Sequence, residues 1–523
     1  MPTPEFSPAR NTSLTCSCNG LFLHSRFDPQ KEAERFVSGI AVDYIPNVIV
    51  ITGPGISYTV PFFRKRWPDA RCIAIQYSSA FSRYDSDFDQ VFPCTPETDA
   101  LTLSESLFGL LGEDTAFSTL FVSWTPSEKI WPDESTVAWQ AIKAYMNKSR
   151  DVTGTRNYFN RRWLKNTVRF FSLVRHSATT VPVSKPVIVC ASGPTLEPVL
   201  PLLQEHRNRY FLLALSSAVS PLAFHNLIPD AVLSTDGGWW ATRHLSPLLT
   251  DSRLQTVPLW ITSEAAVSSE LLQHHPVQYI SYGDPLETWL LSAVEGRTQT
   301  RQPLIGIRNG TVSGTALSLA LALTDRQVFF CGLDLQSRNG YQHIQPNCLE
   351  VRESMKDYRL APEEHRSTPR TFSNGSLAVY RNWFATRSAE KMSRAFRVIS
   401  EEDQQTNTQL GYLKDIPPAR LAQLLSEEPA ERLTFTETVT ISRSGNQPVT
   451  NALRQLQAEL TAASGTLAAS PLVTAFLMSA ALPEYLMANR NQNPEQIAVL
   501  YDKAESFMGE LIFLAEKLEG AAS

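Results

Sequence analysis

Charge is scarce in this chain and neither sign dominates. Charged residues make up 19% of 523 positions, and 47 Lys+Arg against 52 Asp+Glu leave a formal net charge of -5. That balance excludes a broad nucleic-acid-binding surface. Long apolar runs are missing too: no stretch of about 18 apolar residues is present to cross a bilayer. The start, MPTPEFSPARNTS, lacks the basic-then-apolar order of a secretory signal. These absences predict a cytoplasmic protein with no nucleic-acid partner and no membrane span. Cysteine is sparse, with seven residues widely scattered, and an odd number argues against a disulfide framework and for buried free thiols. Cys16 and Cys18 have no second Cys/His pair nearby at zinc-site spacing, and no other cluster of ligand residues is visible, so no metal is expected.

What is present is a normal share of core-forming residues, 43% hydrophobic and 10% aromatic, enough for several cores; at roughly 100–200 residues per domain the length predicts about three. NVIVITG (residues 47–53) and RCIAIQYS (residues 71–78) read as strands flanking a helix at YTVPFFRKRW, a βαβ unit. Its Gly53-Pro54-Gly55 turn has the composition of a dinucleotide or S-adenosylmethionine loop, yet the second strand ends in Gln76 and Tyr77 rather than an acid for a ribose; a tight turn without a cofactor is the other reading. Residues 125–180 carry long helical patterns, the second basic and aromatic, read as a solvated face and packing residues.

The next unit is richer. An apolar strand (residues 186–191) runs into Ser192-Gly193-Pro194-Thr195 and a helix, and strands follow near residues 211–217, 231–236, 258–262, 277–281 and 327–334, with the helix SGTALSLALAL between the last two. The alternation predicts a parallel doubly wound sheet. Ligands of such sheets lie beyond the carboxyl ends of the strands, which singles out Ser192, Gly193, Pro194 and Thr195, then Ser216 and Ser217, then Asp236, then Asn309, Gly310, Thr311 and Ser313 before the helix, and finally Gly332 and Asp334. Two of these loops put small or hydroxyl residues at helix starts, where free N–H groups favour phosphate, so a nucleotide is the expected ligand. Beyond residue 350 a polar stretch reads as a surface insertion, and three amphipathic helices (residues 451–470, 471–489 and 494–520) read as a docking bundle. The resulting fold class is α/β, two Rossmann-like doubly wound units followed by a helical C-terminal domain. The expected boundaries are 1–150 (N-terminal unit), 151–182 (helical linker), 183–385 (central nucleotide-binding unit) and 386–523 (helices).

The segments LHSRFDPQKEAERF, VIVCASGPTLEPVLPLL, IPDAVLSTDGGWW and NGTVSGTALSLALAL followed by QVFFCGLDLQSRNGYQH together resemble the Maf (motility-associated factor) flagellin glycosyltransferases. The resemblance covers the N-terminal motif and most of residues 186–345. It implies a central domain like a bacterial sialyltransferase that transfers a nonulosonic acid, of pseudaminic or legionaminic type, from a CMP-activated donor to Ser/Thr of flagellin. The CMP-sugar is then a substrate, and no tightly bound cofactor is expected. It further implies that Gly193-Pro194-Thr195 faces the CMP phosphate and ribose, that Gly332 and Asp334 organise the donor pocket, and that Tyr341 holds the phosphate. His343 becomes a candidate general base, or an ordinary loop histidine; Asp236 binds ribose or acceptor, or caps its turn. Two alternatives stand beside this reading. One is a 6-hydroxymethylpterin diphosphokinase, similar over the central domain, which needs Mg²⁺ held by paired carboxylates; the other is a non-catalytic flagellin-binding protein.

Overall fold

The computed structural model describes residues 3–295, 303–308, 310–336, 341–362, 375–385, 387, 389–390, 392–431, 436–440, 447–467 and 469–521. The chain is α/β with parallel sheets and a large helical C-terminal region, and it forms two compact units. Residues 1–158, 462–470 and 476–504 make the first; residues 159–461, 471–475 and 505–523 make the second.

In the first unit β1 (Glu5–Pro8), β2 (Leu14–Cys18) and β3 (Leu21–Phe22) form a small antiparallel sheet. β4 (Val48–Thr52), β5 (Arg71–Gln76), β6 (Gln90–Pro93) and β7 (Thr119–Ser123) form a parallel sheet in the order β6-β5-β4-β7. β4 is buried along its whole length, as a central strand covered on both faces must be. The LHSRFDPQ segment builds a helix start: Asp28 caps the helix Pro29–Ser38 by accepting from Lys31 N at 2.9 Å, and Glu32 reaches back to Ser25 N at 2.7 Å.

The second unit holds a sheet of eleven strands among the described residues. Its members are β8 (His176–Thr180), β9 (Val187–Cys190), β10 (Phe211–Leu215), β11 (Ala231–Ser234), β12 (Leu259–Thr262), β13 (Val277–Ser281), β14 (Leu304–Ile305), β15 (Val328–Cys331), β16 (Ala395–Val398), β17 (Lys414–Ile416) and β18 (Thr436–Thr440). The order is β17-β16-β15-β9-β10-β11-β12-β13-β8-β18, with β14 pairing β13; only β18 is antiparallel to its neighbour. From β9 the chain winds one way through β10 to β13 and later the other way through β15 to β17. The strand order therefore reverses between β9 and β15, and a crevice opens at their carboxyl ends.

Two boundaries differ from the sequence reading. The sheet continues past residue 385, because AFRV pairs in parallel with β15 and KDI pairs in parallel with AFRV. Strands of three or four residues leave too little alternation to be read against charged flanks. The long segment read as separate helices is one helix, Pro132–Leu173, whose residues pass from the first unit to the second. Its basic side chains are engaged locally: Arg161 and Lys165 pair with Glu510 at 2.8 and 2.7 Å.

The C-terminal helices are not a separate body. Val449, Leu453, Leu456 and Leu460 are buried on one, and Leu500, Ala504, Phe507, Met508 and Leu511 on another, so the stripes that suggested docking line the protein's own core. Glu519 accepts from the backbone N–H of Val449 and Thr450 at 3.1 and 3.0 Å. Among the described residues no single helix is long and apolar enough to cross a membrane; the apolar pair Pro471–Ala480 and Leu482–Asn491 bends by 120° at its break. All seven cysteines are unpaired, six of them buried.

Candidate active site

The strand-end residues converge where the order reverses. β9 ends in the 192–195 loop and β15 in the 332–334 loop, and the two are laced together. Gly193 N donates to Gly332 O at 2.8 Å, and Thr195 N donates to Asp334 Oδ2 at 2.9 Å. The Thr195 hydroxyl donates to the other oxygen of the same carboxylate. Asp334 is 3% exposed; burial pushes its carboxyl up, against the pull of the two Thr195 bonds. Both oxygens are thus engaged by the loop, which makes Asp334 a latch that shapes the crevice. Gly193 faces inward as well: a Cβ there would lie 2.5 Å from Gly332 O and 2.6 Å from the Asp334 carboxylate. The glycine is needed for the chain's own close packing at this strand end.

Beside this latch the next strand end adds hydroxyls. Ser192 Oγ and Ser217 Oγ are 2.7 Å apart, with Ser192 and Ser216 buried. The segment 341–350 lies over them: Ile344 N donates to Ser192 O at 2.8 Å and Asn347 Nδ2 to Ser217 O at 3.2 Å. Tyr341, partly buried, begins that segment. His343 therefore sits at the carboxyl edge, with its side chain 20% exposed.

Its ring is fixed by a residue the sequence reading passed over. His343 Nδ1 lies 2.9 Å from Oε1 of Glu350, which also accepts the backbone N–H of Gln342 and His343 at 2.9 and 3.0 Å. A carboxylate only accepts, so Nδ1 carries the proton that faces Glu350, which leaves Nε2 as the ring nitrogen able to take up a second one. Glu350 is 5% exposed; burial works to raise its carboxyl, but the hydrogen bond and charge of His343 and the two amides outweigh it and hold the carboxyl below the usual range. A second imidazole, His244, is lowered to about 4 by burial and then by His343, and its Nδ1 is 3.5 Å from Cys348 Sγ.

The other expected residues lie farther along the same edge. β14 ends at the carboxyl side and β15 begins at the amino side, so the intervening helix Val312–Leu323 has its first turn at the carboxyl edge, packed over β9, β10, β11 and β15. Gly310 and Thr311 precede it, and Ser313 is buried in its first turn; Asn309 lies outside the described residues. Asp236 is exposed at the end of β11, and its Oδ1 accepts from Gly238 N at 2.7 Å, the turn-capping role. Tyr380 lies close enough that its phenol is raised by burial and then by Asp236.

A further group at the ends of β12 and β13 carried no sequence signal. Arg308 Nη2 donates to Glu264 Oε1 at 2.9 Å and its guanidinium lies over Trp163 and Tyr282, 5.7 and 5.0 Å from their ring centres. Burial raises the Glu264 carboxyl while Arg308 pulls it down. Among the described residues no group of three or more His, Cys, Asp or Glu side chains is disposed to hold a metal ion.

Comparison with known proteins agrees with this architecture. A family model for 6-hydroxymethylpterin diphosphokinase MptE-like proteins matches residues 161–340. An uncharacterized protein of Treponema pallidum is 28% identical over 351 residues, 66% of this chain and 73% of that one. A solved structure, the MAf glycosyltransferase from Magnetospirillum magneticum, superposes over 99% of this chain and 92% of its own with a TM-score of 0.55 at 13% identity. The chain has the fold of that glycosyltransferase.

Proposed function

We propose that the protein is a glycosyltransferase that moves a nonulosonic acid, of pseudaminic or legionaminic type, from its CMP-activated form to Ser or Thr hydroxyls of flagellin. The observation that carries the reading is the His343–Glu350 pair standing at the strand-order reversal, beside Ser192, Thr195 and Ser217, in a chain with a glycosyltransferase fold. CMP is a good leaving group, so the chemistry asks mainly for orientation and one proton acceptor. The acceptor hydroxyl forms its bond to the anomeric carbon as the bond from that carbon to the CMP phosphate oxygen breaks, leaving the electron pair on the phosphate. The hydroxyl proton passes to His343 Nε2, and Glu350 fixes the ring for that transfer. Ser192 and Ser217 supply hydroxyls to the departing phosphate.

The full chain incubated with CMP-pseudaminic or CMP-legionaminic acid should release CMP only with flagellin present, and flagellin should gain the mass of the sugar. Binding of flagellin without release would make the chain a non-catalytic partner. The family model's name favours a second reading, pterin diphosphate formation, which demands carboxylates paired on Mg²⁺. Asp334 is held by Thr195 and Asp236 caps its own turn, so this arrangement offers that reaction less. AMP formation from ATP and a hydroxymethylpterin would reinstate it.

A further inference from the structure

The donor proposed above carries two anions, the phosphodiester and a carboxylate on the anomeric carbon, and so asks for two points of recognition. The crevice between β9 and β15 offers hydroxyls for the first. A cation suited to the second stands on the same carboxyl edge. The segment 304–308 is pinned there by β14 pairing with β13, by Gly306 N donating to Ser281 O at 2.9 Å, and by Thr315 Oγ1 donating to Ile307 O at 3.3 Å. Arg308 ends this segment with its side chain 35% exposed.

The guanidinium is oriented from three sides. Glu264 accepts one N–H, and the Trp163 and Tyr282 rings flank it. Tyr282 is itself anchored, its N–H donating at 3.1 Å to Glu287, a carboxylate 5% exposed that also accepts from Ser263 Oγ at 2.9 Å. The Asp284 carboxylate accepts from the amides of Leu286 and Glu287 and, after Glu264, also lies close enough to Arg308 to favour its charged form. A guanidinium has five N–H donors, and among the described residues Glu264 is the one hydrogen-bond acceptor of Arg308. The remaining donors form a preorganised fork matched to a planar carboxylate. Arg243 and Arg352, by contrast, lie against Trp239 and Trp240, the first of them 60% exposed.

We propose that Arg308, held by Glu264 between Trp163 and Tyr282, recognises the carboxylate of the donor sugar and so selects acidic sugars. The inference rests on the reading of the chain as a CMP-nonulosonate transferase, and the test separates the two. Calorimetry on the full chain would compare CMP, which lacks the carboxylate, with CMP-pseudaminic and CMP-legionaminic acid. Arg308→Ala should weaken the preferred CMP-sugar roughly 10- to 100-fold, the usual scale for a lost charged hydrogen bond, while CMP affinity is unchanged. Arg308→Lys should recover part of the loss, since it keeps the charge without the fork. If Arg308→Ala fails to fold, Arg308→Gln, which still offers Glu264 a donor, should show the same selective loss. A parallel loss of CMP and CMP-sugar binding, or undiminished CMP-sugar binding, would overturn the assignment of Arg308 alone. A native chain that binds neither CMP nor either CMP-sugar would overturn the transferase reading and this inference together.

Discussion

Two Gly-Pro turns in this chain occupy equivalent places, each at the carboxyl end of a central parallel strand where the order reverses, and they have opposite fates. In the first unit the turn Gly53-Pro54-Gly55 is filled by the chain itself. Gln76 brackets Gly55 with two 3.0 Å hydrogen bonds, and buried His24 accepts from Ile56 N at 3.0 Å. A Cβ on Gly53, where φ is +60°, would lie 2.1 Å from Ser127 Oγ and 2.5 Å from Tyr77. In the second unit the turn Gly193-Pro194-Thr195 is latched by Asp334, but the neighbouring Ser192, Ser217 and His343 border the crevice. Similar local sequences thus yield a plugged turn and a candidate site, and what differs is the segment that reaches over each. Residues 23–24 bring an apolar side chain and a neutral imidazole; residues 341–350 bring a histidine held by a carboxylate.

The largest test of that contrast is His343→Ala. It should lower sugar transfer by roughly 10²- to 10⁴-fold with CMP affinity little changed, because a general base acts in the transition state. Near-normal transfer would reduce the histidine to a loop residue and leave the two turns functionally alike.

Acid should separate the units next. Burial lowers His24 to about 3 from an ordinary 6.5, so below pH 6.5 the unfolded state binds a proton that the folded state refuses. Stability is fully present above pH 6.5, falls as pH drops toward 3, and loses at most roughly 5 kcal/mol over that span. His244, lowered only to about 4, contributes a smaller loss in the second unit that ends sooner, to which His275, also lowered by burial, adds its own. Amide exchange followed in each unit against pH would read both, and His24→Gln should flatten the dependence in the first unit only.

Alanine at either turn glycine comes third. Gly53→Ala adds a left-handed backbone penalty to a clash with Ser127 and Tyr77, whereas Gly193→Ala, with φ at -68°, meets the clash alone. Both should destabilise by about 1–3 kcal/mol, Gly53→Ala the more. Thermal melting checks the ranking. The smallest effect is expected for Ser217→Ala, which leaves the core intact and should weaken CMP binding by roughly 3- to 10-fold through one lost hydrogen bond. No change would remove Ser217 from the phosphate contacts.

Much of this architecture was legible because fully buried strands announce themselves. VIVIT, VIVC, FLLAL, LWIT and VFFC are short apolar runs bounded by turn residues, and their carboxyl ends marked the crevice. Glu350 was not legible: it follows His343 by seven residues, just before the polar stretch read as a surface insertion, with no spacing that ties a loop histidine to the first turn of the short helix Cys348–Ser354. Arg308 and Glu264 are 44 residues apart, and no local pattern connects them.

The amphipathic C-terminal helices show the same limit in reverse. Their stripes were read correctly as apolar faces, yet a stripe does not say what covers it; Glu519 bonded to Val449 and Thr450 shows that the partner is the chain itself. Sequence alone determined the parallel sheets, the helices and the strand-end loops, because these follow from side-chain periodicity and turn chemistry within a few residues. Only the tertiary structure decided that Asp334 latches Thr195, that Glu350 orients His343 and that one Gly-Pro turn is plugged while the other borders a crevice. Those outcomes depend on which distant segment folds over each strand end, and a hydrogen bond between residues far apart in the chain leaves no periodic trace in the sequence.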